Sequence, residues 1–222
     1  DYDLFAILTL GFRGEALPSI AAVSRVQVLT NDGSQDSGTR LSIEGGTVLR
    51  CEEAASPQGT QFEVRDLFFN TPARQKFLKS TATEFSHICQ VVQQAALAAP
   101  SVHFRLSHQG QVVLEYPAAL TLRDRALQVY RGRLIEQMVE VLAERPGVTV
   151  QGFTVHGMHV KSSRTPQEIF VNHRPIKNGT VSHAIYDAYG PYLAKGLHPF
   201  FVLFLTVDPQ RIDVNVHPTK RE

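Results

Sequence analysis

Residues 200–207 read Phe-Phe-Val-Leu-Phe-Leu-Thr-Val, an apolar run broken only by Thr206. A strand with no polar side has no face to give to water, so it belongs inside a sheet covered on both faces. That requirement sets the architecture, because the rest of the chain must supply partner strands and covering helices. Period-two alternation at Val26, Val28 and Thr30, then at Leu41 and Ile43, predicts strands, and Gly45-Gly46 predicts a hairpin turn before Val48 and Leu49. Further strands are expected at 59–64, 102–106, 112–116, 139–142, 148–156, 168–171 and 212–216. Helical spacing is found over 15–23, 72–78 with Thr71 as its cap, 83–99, 122–130 and 182–189. The mixed order gives an α+β class, or α/β with mixed sheets. A composition shift near Pro100 suggests two domains, residues 1–110 and 111–222.

Charge excludes some functions. With 22 Lys plus Arg against 21 Asp plus Glu, the net charge of +1 gives no global basic field, and any contact with nucleic acid must come from a local patch. No apolar run approaches the ~20 residues of a membrane span, and no membrane partner is expected. Cys51 and Cys89 are the only cysteines of the 222 residues, without Cys-x-x-Cys spacing, which excludes a disulfide framework or a cysteine zinc site and fits a reducing compartment. Both are expected to pack. The nine histidines show no His-x-x-x-His spacing, so no metal site is expected. The chain opens on Asp1-Tyr2-Asp3 and closes on Lys220-Arg221-Glu222 just after an alternating strand, as expected of a fragment of something longer.

Two segments carry chemistry. Gly11-Phe12-Arg13-Gly14-Glu15-Ala16-Leu17 sets a glycine turn directly before a helix. Glycine lets the backbone approach a ligand, and a helix start offers unpaired N–H groups and partial positive charge, so the pair can cradle phosphate. The spacing is neither a P-loop nor a Rossmann fingerprint. A tight connection before a helix and a KH-type clamp on single-stranded nucleic acid remain open. The second segment is Gly59-Thr60 followed by residues 66–78, where Thr60 offers a hydroxyl and Arg74 and Lys76 offer charge. A strand residue beside a solvated helix face reads the same way. Basic residues also gather at Lys161, Arg164, Arg174 and Lys177, and at Arg123, Arg125, Arg131 and Arg133. Either cluster serves as a phosphate-binding patch or as a solvated face.

Gly11 to Leu17, Gly59-Thr60 with residues 70–78, Val171-Asn172-His173-Arg174 and residues 213–220 (Asp-Val-Asn-Val-His-Pro-Thr-Lys) occur in that order. Together they resemble the MutL family of DNA mismatch repair proteins, over its N-terminal ATPase region. The resemblance implies part of a gyrase B/Hsp90-type α/β sandwich ATPase domain, then a mixed α/β transducer domain with a left-handed β-α-β crossover. It implies ATP and Mg2+ as cofactors. It assigns Gly11, Phe12, Arg13, Gly14, Glu15, Ala16 and Leu17 to an ATP lid and Gly59 and Thr60 to a further nucleotide motif. Lys220 would be the catalytic lysine that reaches the γ-phosphate. It implies non-sequence-specific DNA binding, for which Arg174, Lys177, Lys161, Arg164, Arg131 and Arg133 are the candidates. Implied partners are a MutS-type mismatch-recognition protein and a second subunit, as homodimer or paralogue heterodimer. The location would be cytoplasmic or nucleoid-associated in a bacterium and nuclear in a eukaryote. The family's Glu-Asn pair, which supplies the general base and the magnesium ligand, and its adenine-reading Asp-x-Gly-x-Gly do not occur in these residues. The chain alone is therefore expected to be inactive. The alternative is a DNA- or partner-binding module without nucleotide turnover.

Overall fold

Gly45 and Gly46 turn the chain with φ of +56° and +87°, a left-handed pair that glycine adopts without strain. The turn joins β2 (Ser37–Glu44) to β3 (Thr47–Ala55), and the sheet is completed by β1 (Arg25–Asn31) and β4 (Gly59–Arg65) in the antiparallel order β3-β2-β1-β4. The computed structural model describes residues 14–163 and 165–211. The expected strand at 212–216 lies outside them. Compactness divides the chain within a helix, into Gly11–Glu84 and a unit formed mainly by Phe85–Glu222.

In the first unit, α1 (Ala16–Ala21) leads into β1. The register places Val26 opposite Ile43 and Val64, and Val28 opposite Leu41 and Phe62. Directly opposed residues share a face, so these six side chains form one apolar face. Val26 is buried at one end, while Phe62 and Val64 remain half exposed. The opposite face carries Arg25, Gln27, Ser42, Glu44, Glu63 and Arg65. Cys51, opposite Leu41 on β3, is exposed rather than packed, because β3 is an edge strand. The short basic helix α2 (Pro72–Lys76) forms as expected, but Thr71 does not cap it. Its hydroxyl is buried and makes no hydrogen bond with the described residues.

The second unit contains the 200–207 run as β11 (Phe201–Val207), preceded by Phe200. With β7 (Met138–Arg145), β8 (Val148–Val155), β9 (Gln167–Val171) and β10 (Arg174–Ile176) it forms a sheet of order β10-β9-β11-β8-β7. The central strand is antiparallel to β8 and parallel to β9. The parallel connection passes through α6 (Gly179–Tyr189), which starts three residues earlier than its apolar spacing indicates because Asn178 caps it, its side chain accepting the Val181 N–H at 2.9 Å.

Burial on both faces holds as the sequence requires. Phe200, Val202 and Phe204 join Phe153, Val155 and Phe170 beneath Leu97 and Ala98 of α3 (Thr81–Ala98) and Ala126 of α4 (Leu122–Val129). Phe201, Leu203 and Ile169 pack on the other side against Val181, Ile185 and Tyr186 of α6. A hairpin of β5 (Phe104–His108) and β6 (Gln111–Tyr116) precedes α4, and the short α5 (Arg133–Gln137), which the spacing did not indicate, follows it. Among the described residues no helix is long and apolar enough to cross a membrane.

Candidate functional site

Residues 14–17 are the described part of the glycine-helix segment; Gly11, Phe12 and Arg13 lie outside the described residues. Gly14 has φ +63°, and among the described residues nothing lies within 4 Å of where a side chain would begin. Glu15 occupies the cap position of α1 without a side-chain hydrogen bond to the helix start. Glu15, Ala16 and Leu17 are exposed. A left-handed glycine leads to a helix start without a side-chain cap, and both features fit a phosphate group.

The far end of α1 is held firmly. The N–H groups of Gly45 and Gly46 donate to the carbonyls of Ser24 and Ala21 at 3.1 and 2.9 Å. From the other side, Phe68 N–H donates to Val23 O at 2.7 Å, and Asn70 Nδ2 donates to Ala22 O at 2.9 Å. Arg25 pairs with Glu44 at 3.2 Å and Asp66 at 2.7 Å, and its guanidinium lies 4.6 Å from the Phe69 ring centroid. Hydrogen bonds to these carboxylates raise its pKa further. Residues 66–70, singled out in the sequence as possible nucleotide-site neighbours, thus fasten the junction between α1 and β1. Arg74 and Lys76 are exposed on α2.

Thr60 is exposed on β4, with its hydroxyl 2.7 Å from that of Thr30, its partner in register. It continues the apolar face, at the opposite end of β1 from Arg25. Five residue steps lead from Arg25 to Thr30, or about 17 Å at 3.4 Å per step. Gly59 before it has φ +132° and open space beside it. Among the described residues no cluster of three His, Cys, Asp or Glu side chains could hold a metal ion, so no magnesium ligand is assigned here.

The described basic candidates lie on three separate segments. Arg174 and Lys177 stand three residues apart on the β10 segment, about 10 Å along the strand. Arg174 is half-buried, which lowers its pKa, and Lys177 is exposed. Lys161 is exposed on a loop paired with His198, beyond the other end of β11 from Asn172. Arg131 and Arg133 are exposed on either side of Gly132, between α4 and α5. Arg164 and Lys220 lie outside the described residues.

Arg125 does not belong with the surface cluster, because it is fully buried. Its guanidinium donates to Pro100 O and Val102 O, both at 2.6 Å, and to Gln128 Oε1 at 2.9 Å, between the Phe104 and Tyr116 rings. Burial lowers its pKa. Arg123 lies 3.9 Å from Glu140.

Three further arrangements went unread in the sequence. Asn172 and His173 form the β9–β10 turn with φ of +47° and +66°. The Asn172 side chain donates to Val207 O at 2.8 Å and accepts Val207 N–H at 3.0 Å, while its backbone N–H donates to Leu205 O at 2.9 Å. It extends the sheet beyond Leu205 as a stand-in for one more strand residue. His173 Nδ1 donates to Ala98 O at 3.1 Å, closing the end of α3. Asn followed by a second turn residue between two strands is a hairpin signal, and could have flagged the turn but not its partner. Glu168 is half-buried and accepts from Gln94 Nε2 at 2.8 Å. Burial raises its pKa, against opposing hydrogen bonds from Gln94 and Gln90 and the charge of Lys177. Tyr186 and Tyr189 serve in packing: Tyr189 Oη donates to Val155 O at 2.7 Å, and Tyr186 Oη lies 2.9 Å from His198 Nδ1.

Residues 126–222 match the family model described as DNA mismatch repair protein, C-terminal domain. The chain is 44% identical, over its full length and 36% of the relative's, to a DNA mismatch repair protein MutL of Syntrophotalea carbinolica. It thus spans about a third of the length of the curated relatives it matches. Its fold is similar to that of the Aquifex aeolicus MutL ATPase domain complexed with ADP, at 29% identity and TM-score 0.69, covering 88% of this chain and 72% of that one. The B-subunit of the DNA gyrase from Myxococcus xanthus shares the fold at 15% identity and TM-score 0.56, covering 91% of this chain and 62% of that one. By motif order, by full-length similarity and by fold, the chain belongs to the MutL family of DNA mismatch repair proteins.

Proposed function

We propose that this chain is part of a mismatch-repair ATPase that couples ATP binding and hydrolysis to dimerisation, DNA binding and signalling from mismatch recognition to strand removal. The observation that carries the reading is Gly14, left-handed and set before the exposed, uncapped start of α1 within the heptad Gly11 to Leu17. ATP, when bound, supplies the phosphoanhydride whose hydrolysis drives the cycle. The N–H groups at 11–17 hold its phosphates, and Thr60 offers a hydroxyl from the apolar face of the first sheet. The clamps on Ala21, Ala22, Val23 and Ser24 fasten the far end of α1 to its sheet, so the helix start is presented from a fixed base. Residues up to about 110 form the nucleotide part, and residues from about 111 form the transducer.

Lys220 brings a compact ammonium to the terminal phosphate. Arg174, Lys177, Lys161, Arg164, Arg131 and Arg133 neutralise DNA phosphates without reading bases. The partners are DNA, a MutS-type protein and a second subunit, in the cytoplasm or on the nucleoid of a bacterium or in the nucleus of a eukaryote. Magnesium would be held by residues this sequence does not contain, and so would the general base. The 222-residue chain therefore binds phosphate groups without turning over ATP.

The test is Lys220→Ala in the full-length protein. A hydrogen bond to a charged group is worth about 1.5–3 kcal/mol, so turnover should fall roughly ten- to a hundredfold with ADP affinity unchanged. Unchanged turnover would place Lys220 on the surface, and equal loss of turnover and ADP affinity would mean misfolding. A nucleotide titration of the chain separates this reading from that of a pure binding module.

A further inference from the structure

The loop after β8 and the loop after α6 are strapped side by side in the second unit. Lys161 N–H donates to His198 O at 3.2 Å, and His198 N–H donates to Lys161 O at 2.6 Å. Nearer the tip, Tyr192 sits directly against Gly157: a side chain at 157 would begin 2.6 Å from Tyr192 Cβ. Only glycine admits this approach. His156 braces the same loop, its Nδ1 accepting the Met158 N–H at 3.4 Å, and its ring lies 6.3 Å from that of Tyr192. Tyr192 is thus pinned at its base, yet the residue is 70% exposed and Met158 is 76% exposed. The two loops, residues 156–163 and 190–200, contain Lys161, Lys195 and three histidines but no Asp or Glu. The nearest acid along the chain before Tyr192 is Asp187 on α6.

A fixed aromatic face among cations matches a polymer whose repeating unit is one planar ring and one phosphate. Duplex DNA keeps its base faces stacked inside, so it cannot offer one to Tyr192. An unpaired strand can. We propose that these strapped loops bind single-stranded nucleic acid, with a base stacked on Tyr192 and phosphates neutralised by Lys161 and Lys195. The proposal rests on the DNA-binding reading above and adds a strand type and a stacking residue to it.

The experiment uses the 222-residue chain and fluorescence anisotropy with a labelled oligo-dT and a duplex of equal length, at one salt concentration. Tyr192→Ser should weaken oligo-dT binding about 5- to 150-fold, leave duplex binding within about twofold, and keep the parent circular dichroism spectrum. Tyr192→Phe keeps the ring and should bind as the parent does. Lys195→Glu should lower the log–log salt slope on oligo-dT by roughly 0.7. Parent-like oligo-dT binding by Tyr192→Ser overturns the proposal, and so does equal loss on both substrates. Duplex binding through Arg174 and Lys177 is read from different variants, so the groove can fail while the platform stands, or the reverse.

Discussion

Asn172→Ala removes two hydrogen bonds and worsens a backbone conformation in one step. The lost bonds run from the Asn172 amide to Val207 O and from Val207 N–H to the Asn172 carbonyl. Each is worth about 0.5–1.5 kcal/mol net. Asn172 also sits at φ +47°, a region that costs an ordinary L-residue about 1–2 kcal/mol and that Asn tolerates. The sum is a loss of about 2–5 kcal/mol. Asn172→Gly loses the same bonds but not the conformation, and should be milder by about 1 kcal/mol. Asn172→Asp keeps an acceptor for Val207 N–H but turns an oxygen towards Val207 O, so it should not rescue. Urea unfolding of the chain followed by circular dichroism gives the totals, and hydrogen exchange at the Val207 amide gives the local effect. Asn172→Ala within 0.5 kcal/mol of the parent, with unchanged exchange at Val207, would refute the strand-stand-in argument. Equal loss in the Ala and Gly variants would refute the conformational part alone.

Arg125→Met should cost about 2–4 kcal/mol in the same unfolding assay, because it leaves Pro100 O and Val102 O without their shared donor. Arg125→Lys should not restore it, since an ammonium cannot reproduce the fork; full rescue by Lys would refute this. Glu168 has a folded-state pKa above its ordinary 4.5, so as pH rises the unfolded chain loses this proton first. Its contribution to stability is complete below about 4.5 and is lost as pH climbs through the folded value. Glu168→Gln should match the parent near pH 4 and exceed it at pH 7, and an equal difference at both would exclude the linkage. Arg174→Glu and Lys177→Glu in the full-length protein should weaken duplexes of any sequence alike and lower the salt slope by roughly 0.9 per lost contact. An unchanged slope in both would move the groove towards Arg131 and Arg133.

The central strand was legible because its run of Phe, Val and Leu leaves no side for water, and the structure buries both of its faces. The β2–β3 turn was legible from the Gly45-Gly46 pair, and every α-helix but the short α5 from its spacing to within a few residues. The heptad at 11–17 was legible only as one of a family's motifs in order; as a lone glycine turn it left several readings open. Arg125 was misread because a buried arginine without a carboxylate is rare, and its partners are backbone carbonyls that no residue type announces. Cys51 was expected inside because free cysteine usually packs, but strand order put it on an edge. Thr71 looked like a cap, yet its backbone lies outside capping geometry. Asn172 stood out in the sequence as part of a motif, and its bond to Val207, thirty-five residues away, exists only once the sheet has closed.

The last described strand of the chain is also the middle strand of its sheet. On a ribosome β8 and β9 emerge first, with Phe153 and Phe170 lacking their Phe200, Val202 and Phe204 neighbours and the edges that β11 will occupy unpaired. The 46 residues from Val155 to Phe201 take roughly 2–9 s to synthesise at 5–20 residues per second. Through that interval the nascent chain carries the unpaired edge of β8, joined after Val171 by that of β9, and either can pair with anything nearby. Messages truncated before residue 201 should therefore yield aggregated or degraded protein rather than a weakened domain, and the window from β8 to β11 is where a chaperone has most to protect.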